Sequence, residues 1–137
     1  MRAVHILVVE DYERFRNFVC MLLQQSGNFQ IFQAGDGLEA VQKFRELKPD
    51  LILLDIGLPR LNGLDVARRL GPAAKALFLS QESSWDVVCE ALGVGAGYVY
   101  KPDVHSELLP AIKAVLEGKR YVSSSLESLE RTQPQNS

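Results

Sequence analysis

Five polar residues stand where short apolar runs of this chain end: Glu10, Asp11, Asp55, Ser80 and Lys101. Apolar runs of this length, followed at once by turn residues, are typical of strands buried on both faces of a parallel sheet. The carboxyl ends of parallel strands meet at one edge of an open sheet, and ligands bind there. The five side chains are therefore expected to share one cleft.

Three carboxylates, a hydroxyl and an ammonium group in one cleft suit phosphoryl transfer. Carboxylates that lie together raise one another's pKa, and a hard divalent cation relieves this; Mg²⁺ suits a site with few protein ligands and a phosphate. Lys101 can hold one phosphate oxygen and the hydroxyl of Ser80 can donate to another. Asp55 is then the candidate carboxylate nucleophile, which would form an acyl phosphate.

Each of these residues taken singly is more often structural. Acidic residues after a strand are usually solvated turn residues, a serine there is usually a helix cap, and a lysine usually extends into solvent. Their coincidence at four strand ends is much harder to obtain by chance. The functional hypothesis therefore depends on the whole set.

The rest of the chain alternates strand-like and helix-like patterns five times. Apolar residues at helical spacing follow each apolar run, beginning at Phe15, Ala40, Leu64, Val87 and Leu108. Alternation with short connections predicts an α/β fold: a single (βα)5 doubly wound parallel sheet with right-handed crossovers and helices on both faces.

Length and composition limit the remaining function classes. A chain of 137 residues with 47% apolar and 23% charged residues suits one globular domain. A net charge of −2 gives no general attraction to nucleic acid or to anionic membranes, and no run approaches a membrane span. Cys20 and Cys89 lack metal-site spacing, and both are expected to be buried, reduced thiols of a cytoplasmic protein.

The motifs VVED, LLDIGLPRLNG, LFLS and GYVYKP resemble the receiver domain of bacterial two-component response regulators over roughly residues 3 to 119. The resemblance implies a flavodoxin-like or CheY-like fold with strand order 2-1-3-4-5. Residues 1–121 would form the receiver, or phosphoacceptor, domain. Residues 122–137 are polar and are expected to be a tail or the start of a linker.

The resemblance also implies a metal site and a phosphoacceptor. Mg²⁺ would be held by Glu10, Asp11, Asp55 and the backbone carbonyl of Gly57. Asp55 would accept the phosphoryl group, with the lysine of the motif, Lys101, binding phosphate. These roles are assigned by position in the matching motifs.

Other positions match the switching parts of such domains. Ser80 corresponds to the switch hydroxyl and Tyr98 to an aromatic residue that rotates inward when Asp55 is phosphorylated. Gly57 and Glu82 occupy positions that tune the hydrolysis rate. The peptide bond between Lys101 and Pro102 is cis in such domains, and a cis bond is expected here.

Partners follow from the same resemblance. The phosphoryl group would come from a phosphohistidine on a sensor histidine kinase or a phosphotransfer protein. Phosphorylation would then alter the face formed by helix 4, strand 5 and helix 5 as a population shift, with a phosphorylation-dependent homodimer as one outcome. No contact with nucleic acid or membrane is expected of this domain itself.

The segments ALGVGAGYVYK and EGKRYVSSSL resemble the receiver half of NarL/LuxR-type transcription regulators. Those proteins continue into a helix-turn-helix domain, a pattern that this sequence lacks. An isolated receiver from a longer regulator is the favoured interpretation, with control of transcription as its output. A stand-alone receiver is the alternative.

Two other function classes compete with the switch. A Mg²⁺-dependent phosphohydrolase with an aspartyl nucleophile needs a second acid two residues after the nucleophile, and Gly57 occupies that position. A degenerate receiver that serves only as a protein scaffold would have lost part of the acid, serine and lysine set, which this sequence retains. Gln81 is larger than the residue usual after the switch hydroxyl and could crowd the phosphate.

Overall fold

The computed structural model describes residues 2–126, which form one parallel sheet covered by helices on both faces. The six strands are β1 (Val4–Val9), β2 (Phe29–Ala34), β3 (Leu51–Asp55), β4 (Ala76–Ser80), β5 (Gly97–Tyr100) and β6 (Tyr121–Val122). The five helices are α1 (Glu13–Ser26), α2 (Gly37–Leu47), α3 (Gly63–Leu70), α4 (Trp85–Val94) and α5 (Val104–Leu116). Within the described part, no helix has the length and apolar character that crossing a bilayer requires.

Two apolar clusters, one on each face, hold the helices against the sheet. Alternate residues of each central strand enter different clusters; in β1, Leu7 and Val9 face α2, α3 and α4, whereas Ile6 and Val8 face α1 and α5. Every residue of β3 and β4 is buried. This double burial explains why the central strands are continuous apolar runs rather than alternating ones.

Side-chain caps fix the starts of α2 and α3. The Asp36 carboxylate accepts a hydrogen bond from the backbone N–H of Glu39 at 2.8 Å, and the Asn62 side chain accepts one from Asp65 at 2.9 Å. The capping box of α2 is displaced by one residue, because the Glu39 carboxylate accepts from the N–H of Gly35 rather than Asp36.

The sheet has one strand more than predicted, in the order 2-1-3-4-5-6. The first five strands follow the expected order, with β2 at one edge. At the other edge, β6 pairs in parallel with Gly97 and Tyr98 of β5. The packed domain extends to Leu126, which is 1% exposed, so the expected boundary after residue 121 divides β6. Residues 127–137 of the expected tail lie outside the described part.

A 3-10 helix (Lys101–Asp103) leads directly into α5 at Val104, and Pro110 lies inside α5. Two further expectations are wrong. Cys89 is exposed on α4, while Cys20 is buried as expected; both are free thiols. No peptide bond in residues 2–126 is cis, so the bond between Lys101 and Pro102 is trans. Pro102 lies in the first turn of the 3-10 helix, where its fixed φ fits and no amide donor is needed.

Candidate functional site

Asp55 ends the central strand β3 and lies at the carboxyl edge of the sheet. The strand is hydrogen-bonded to β1 on one side and to β4 on the other, and Asp55 itself lies in register with Leu79 of β4. The residue is 8% exposed, and its Oδ1 atom accepts a long hydrogen bond, 3.4 Å, from the N–H of Gly57. A carboxylate so deeply placed at this edge requires a charged partner.

Lys101 supplies that partner. Its Nζ atom lies 2.5 Å from Oε1 of Glu10 and 3.4 Å from Oδ1 of Asp55. The ammonium group also lies 4.7 Å from the centre of the Phe15 ring, within cation–π distance. Because the side chains of the three charged residues are each 11% exposed or less, water screens this arrangement little.

Glu10, Asp11 and Asp55 bring carboxylate oxygens within 4.8 Å of one another. Both oxygens of Glu10 already have partners, Lys101 and the backbone N–H of Tyr12 at 3.0 Å. Partial burial raises the pKa of Asp11, and a hydrogen bond with Glu10 and the negative charge of Glu10 raise it further. The crowding of acids inferred from the sequence is therefore present in the structure.

Ser80 and Tyr98 meet at a backbone turn beyond the end of β4. The hydroxyl of Ser80 accepts a hydrogen bond from the N–H of Glu82 at 3.0 Å. The hydroxyl of Tyr98 donates to the carbonyl oxygen of Glu82 at 2.8 Å. Tyr98 is fully buried, so its ring lies inside the domain in this structure.

Burial raises the pKa of Tyr98 to about 12; a hydrogen bond with Ser80 opposes the rise, and the charges of Glu82 and Asp55 add to it. The folded-state pKa lies above the ordinary value of 10.0, so the stability linked to this group is intact below that pH. It is lost as the pH rises through about 12.

We therefore expect the free energy of unfolding to fall between pH 10 and 12 by on the order of 2 kcal/mol more in the wild type than in Tyr98→Phe. Urea unfolding at a series of pH values measures this. Tyr12→Phe is the matched control. Because Tyr12 is 60% exposed, its replacement should leave the pH dependence of the free energy of unfolding as in the wild type. An equal pH slope in Tyr98→Phe and wild type would contradict the assignment.

The remaining predicted positions surround this centre. Gly57 and Glu82 are both exposed, and their backbone N–H groups donate to Asp55 and Ser80 respectively. Gln81 is exposed as well. Pro102 directly follows Lys101 and begins the turn that carries the chain into α5.

Sequence reasoning missed the side chains that hold the charged groups in place. Phe15 was assigned to the apolar face of α1, yet its ring also contacts the Lys101 ammonium group. Arg16 donates from Nη1 to the backbone carbonyl of Glu10 at 2.7 Å and so fixes the end of β1. Neither role follows from spacing along one helix, since both depend on where α1 crosses the sheet edge.

The chain matches the family model described as the response regulator receiver domain over residues 6–113. This match covers the whole of the cleft, from β1 through Lys101. The chain belongs to the response regulator receiver domain family. Receiver domains are regulatory domains of two-component systems rather than conventional enzymes.

Relatives of two lengths match this receiver domain. A putative transcriptional regulator of Pseudomonas aeruginosa is 38% identical over 82% of this chain and 56% of its own length. The chemotaxis protein CheY of Thermotoga maritima is 32% identical over 80% of this chain and 95% of its own length. The chain spans between 52% and 65% of the length of the first four relatives that it matches.

Solved structures agree with this placement. A LuxR-family two-component response regulator from Aurantimonas sp. SI85-9A1 superimposes with a TM-score of 0.88 at 26% identity. The match covers 96% of this chain and 100% of that one. The resemblance to NarL/LuxR-type receivers drawn from the two sequence segments is therefore supported by structure.

Proposed function

We propose that this receiver is a signalling switch that accepts a phosphoryl group on Asp55. The donor is the phosphohistidine of a sensor histidine kinase or a phosphotransfer protein in the cytoplasm. A carboxylate oxygen of Asp55 attacks the phosphorus atom and forms the new P–O bond, and the P–N bond breaks with its electron pair returning to the imidazole ring. The single observation that carries this proposal is the buried Asp55 carboxylate held between an ammonium group and two further acids.

Lys101 and Ser80 are positioned to bind the transferred group. Lys101 lies 3.4 Å from Asp55, so its charge can hold a phosphoryl oxygen as negative charge spreads over the group. Ser80 stands at the end of the neighbouring strand, one residue beyond the register partner of Asp55, Leu79. Its hydroxyl can donate to a second phosphoryl oxygen while its own oxygen keeps the hydrogen bond from Glu82.

The acid cluster fits Mg²⁺. Three carboxylates with oxygens within 4.8 Å, one of them with a raised pKa, form the hard oxygen donor set that this ion prefers. Glu10, Asp11, Asp55 and the carbonyl of Gly57 would hold it, and when bound it would neutralise charge on the phosphoryl oxygens. Hydrolysis of the acyl phosphate would be tuned at Gly57 and Glu82, which are both exposed.

The output we propose is control of transcription through a DNA-binding domain outside this chain. Support comes from relatives whose names describe transcriptional regulators and of which this chain spans little more than half. Phosphorylation would change the face formed by α4, β5 and α5, and a phosphorylation-dependent homodimer is part of this proposal. The receiver itself would make no contact with nucleic acid.

Intact mass measurement after incubation with Mg²⁺ and acetyl phosphate tests the phosphoacceptor. Wild type should gain one phosphoryl group and Asp55→Asn should gain none. Asp86→Asn is the matched control, since Asp86 is an exposed acid on α4 and its loss should leave phosphoryl uptake unchanged. A folded wild type that binds Mg²⁺ but gains no mass would favour the scaffold hypothesis instead.

A further inference from the structure

Residues 121–126, here called the C-terminal strap, are seated on the sheet edge through Ser123. The N–H of Ser123 donates to the carbonyl oxygen of Tyr98 at 2.9 Å, and its hydroxyl accepts from the N–H of Tyr100 at 2.8 Å. Ser123 is fully buried, and its own carbonyl accepts from the N–H of Leu126 at 2.9 Å. A buried serine with these polar groups paired is a specific anchor on the backbone of β5.

Two acids of α5 and its preceding turn hold the polar side of the C-terminal strap. Glu107 accepts from the Tyr121 hydroxyl at 2.7 Å and from the N–H and hydroxyl of Ser124 at 3.0 and 2.9 Å. Burial alone would raise the pKa of Glu107, but these hydrogen bonds outweigh it and lower the pKa. Ser125 donates to Asp103 at 2.5 Å. Hydrogen bonds to a carboxylate are the stronger kind, so this side of the segment is firmly held.

The apolar side of the C-terminal strap reaches α4. Leu126 is 1% exposed and belongs to the same apolar cluster as Tyr98, Val88 and Leu92. The strap thus contacts α4, β5 and α5 together, the three elements of the proposed output face. The outer edge of β5 is not open to a partner while the strap is seated.

A continuous series of hydrogen bonds joins the phosphoryl site to this segment. The Ser80 hydroxyl bonds to the N–H of Glu82, the Glu82 carbonyl to the Tyr98 hydroxyl, and the Tyr98 carbonyl to Ser123. A phosphoryl group that accepts a hydrogen bond from Ser80 would fix the turn at Glu82. Through its hydrogen bond to the Tyr98 hydroxyl, the turn holds the Tyr98 ring in its buried position. Leu126 lies in the same apolar cluster as that ring.

We infer that the surface of α4, β5 and α5 is a phosphorylation-dependent docking site whose ligand is the chain's own C-terminal strap. The inference rests on the proposed phosphorylation of Asp55. Phosphorylation and docking stabilise each other, because both favour the turn at Glu82 and the buried Tyr98. Release of the strap exposes the β5 edge.

Hydrogen exchange of the full chain, followed by mass spectrometry, tests the inference with Mg²⁺ and beryllofluoride as the phosphoryl mimic. We expect exchange in peptides covering residues 121–126 to slow about fivefold or more when the mimic is bound, the size of a typical coupling between sites. Slowed exchange around Asp55 and Ser80 reports that the mimic has bound. Binding there with no change in the strap would overturn the inference and leave the proposed function standing.

A strap variant tests the same coupling from the other end. Glu107→Gln weakens the hydrogen bonds to Tyr121 and Ser124, so it should speed exchange in the strap and weaken beryllofluoride affinity several-fold, since coupling is reciprocal. Glu117 is an exposed acid just after α5, and Glu117→Gln should leave both strap exchange and beryllofluoride affinity at their wild-type values. A loosened strap with wild-type affinity would overturn the inference. No binding of the mimic by wild type would overturn the proposed function, and the inference with it.

Discussion

Lys101→Ala is expected to lower the rate of phosphoryl uptake from acetyl phosphate by about a hundredfold, the usual cost of removing one preorganised charge from a transition state. The same change should tighten Mg²⁺ binding, because it removes a positive charge that lies 2.5 Å from Glu10 and 3.4 Å from Asp55. Intact mass over time gives the rate, and calorimetric titration gives the Mg²⁺ affinity.

The opposite directions of these two effects separate an electrostatic role from structural damage. A collapsed site would lose both phosphoryl uptake and Mg²⁺ binding, and circular dichroism would report loss of the fold. Lys113→Ala on the exposed side of α5 should change neither quantity. Wild-type uptake by a folded Lys101→Ala protein would contradict the role assigned to Lys101.

Gly63→Ala is expected to lower the free energy of unfolding by roughly 3 kcal/mol, at the upper end for added volume in a packed region. A methyl group at Gly63 would lie 2.1 Å from the carbonyl oxygen of Asp55 and 2.9 Å from Cα of Ile56. Both are backbone atoms, so relief requires the loop after β3 to move. The N–H of Gly63 also donates to the carbonyl of Ile56 at 2.8 Å, which fixes this close approach.

Because that loop begins directly after Asp55 and the added methyl group would press on the Asp55 carbonyl oxygen, Gly63→Ala should slow phosphoryl uptake as well as destabilise the protein. Urea unfolding measures the loss of stability, and intact mass over time measures the slower uptake. Gly93→Ala is the matched control: no heavy atom lies within 4 Å of a methyl group there, and alanine is the better helix former. It should stabilise the protein by less than about 1 kcal/mol. Equal stability of the two variants would contradict the close-packing argument.

The site was predictable from sequence because its members stand at strand ends. A carboxylate after a buried apolar run has one place to go in a parallel sheet, and Asp55 goes there. Once β1, β3 and β5 are recognised as strands of one parallel sheet, Glu10 and Lys101 must lie at the same edge of that sheet as Asp55. The caps at Asp36 and Asn62 were predictable for an equally local reason, since a cap depends on the next three residues alone.

The C-terminal strap was not predictable in the same way. A strand of two residues is too short to show any alternation, and the serines that follow read as solvated polar residues. Ser123 is buried only because the backbone of Tyr98 and Tyr100 satisfies its polar groups. That match depends on tertiary structure, which composition does not encode.

Side-chain orientation was likewise beyond the sequence. Tyr98 could be placed on β5, but the presence of β6 beside it and the turn at Glu82 decide that it is buried. Phe15 could be placed on a helical face, but its contact with Lys101 depends on the crossing of α1 over the sheet edge. Interactions between distant elements account for both.

The central claim is that Asp55 itself carries the phosphoryl group. After incubation with Mg²⁺ and acetyl phosphate, borohydride reduces an aspartyl phosphate to homoserine, and peptide mass spectrometry then identifies the altered residue. The account predicts homoserine at position 55 and at no other acid of the chain. Homoserine at Asp11, at another acid, or at no position in a protein that has gained phosphoryl mass would contradict it.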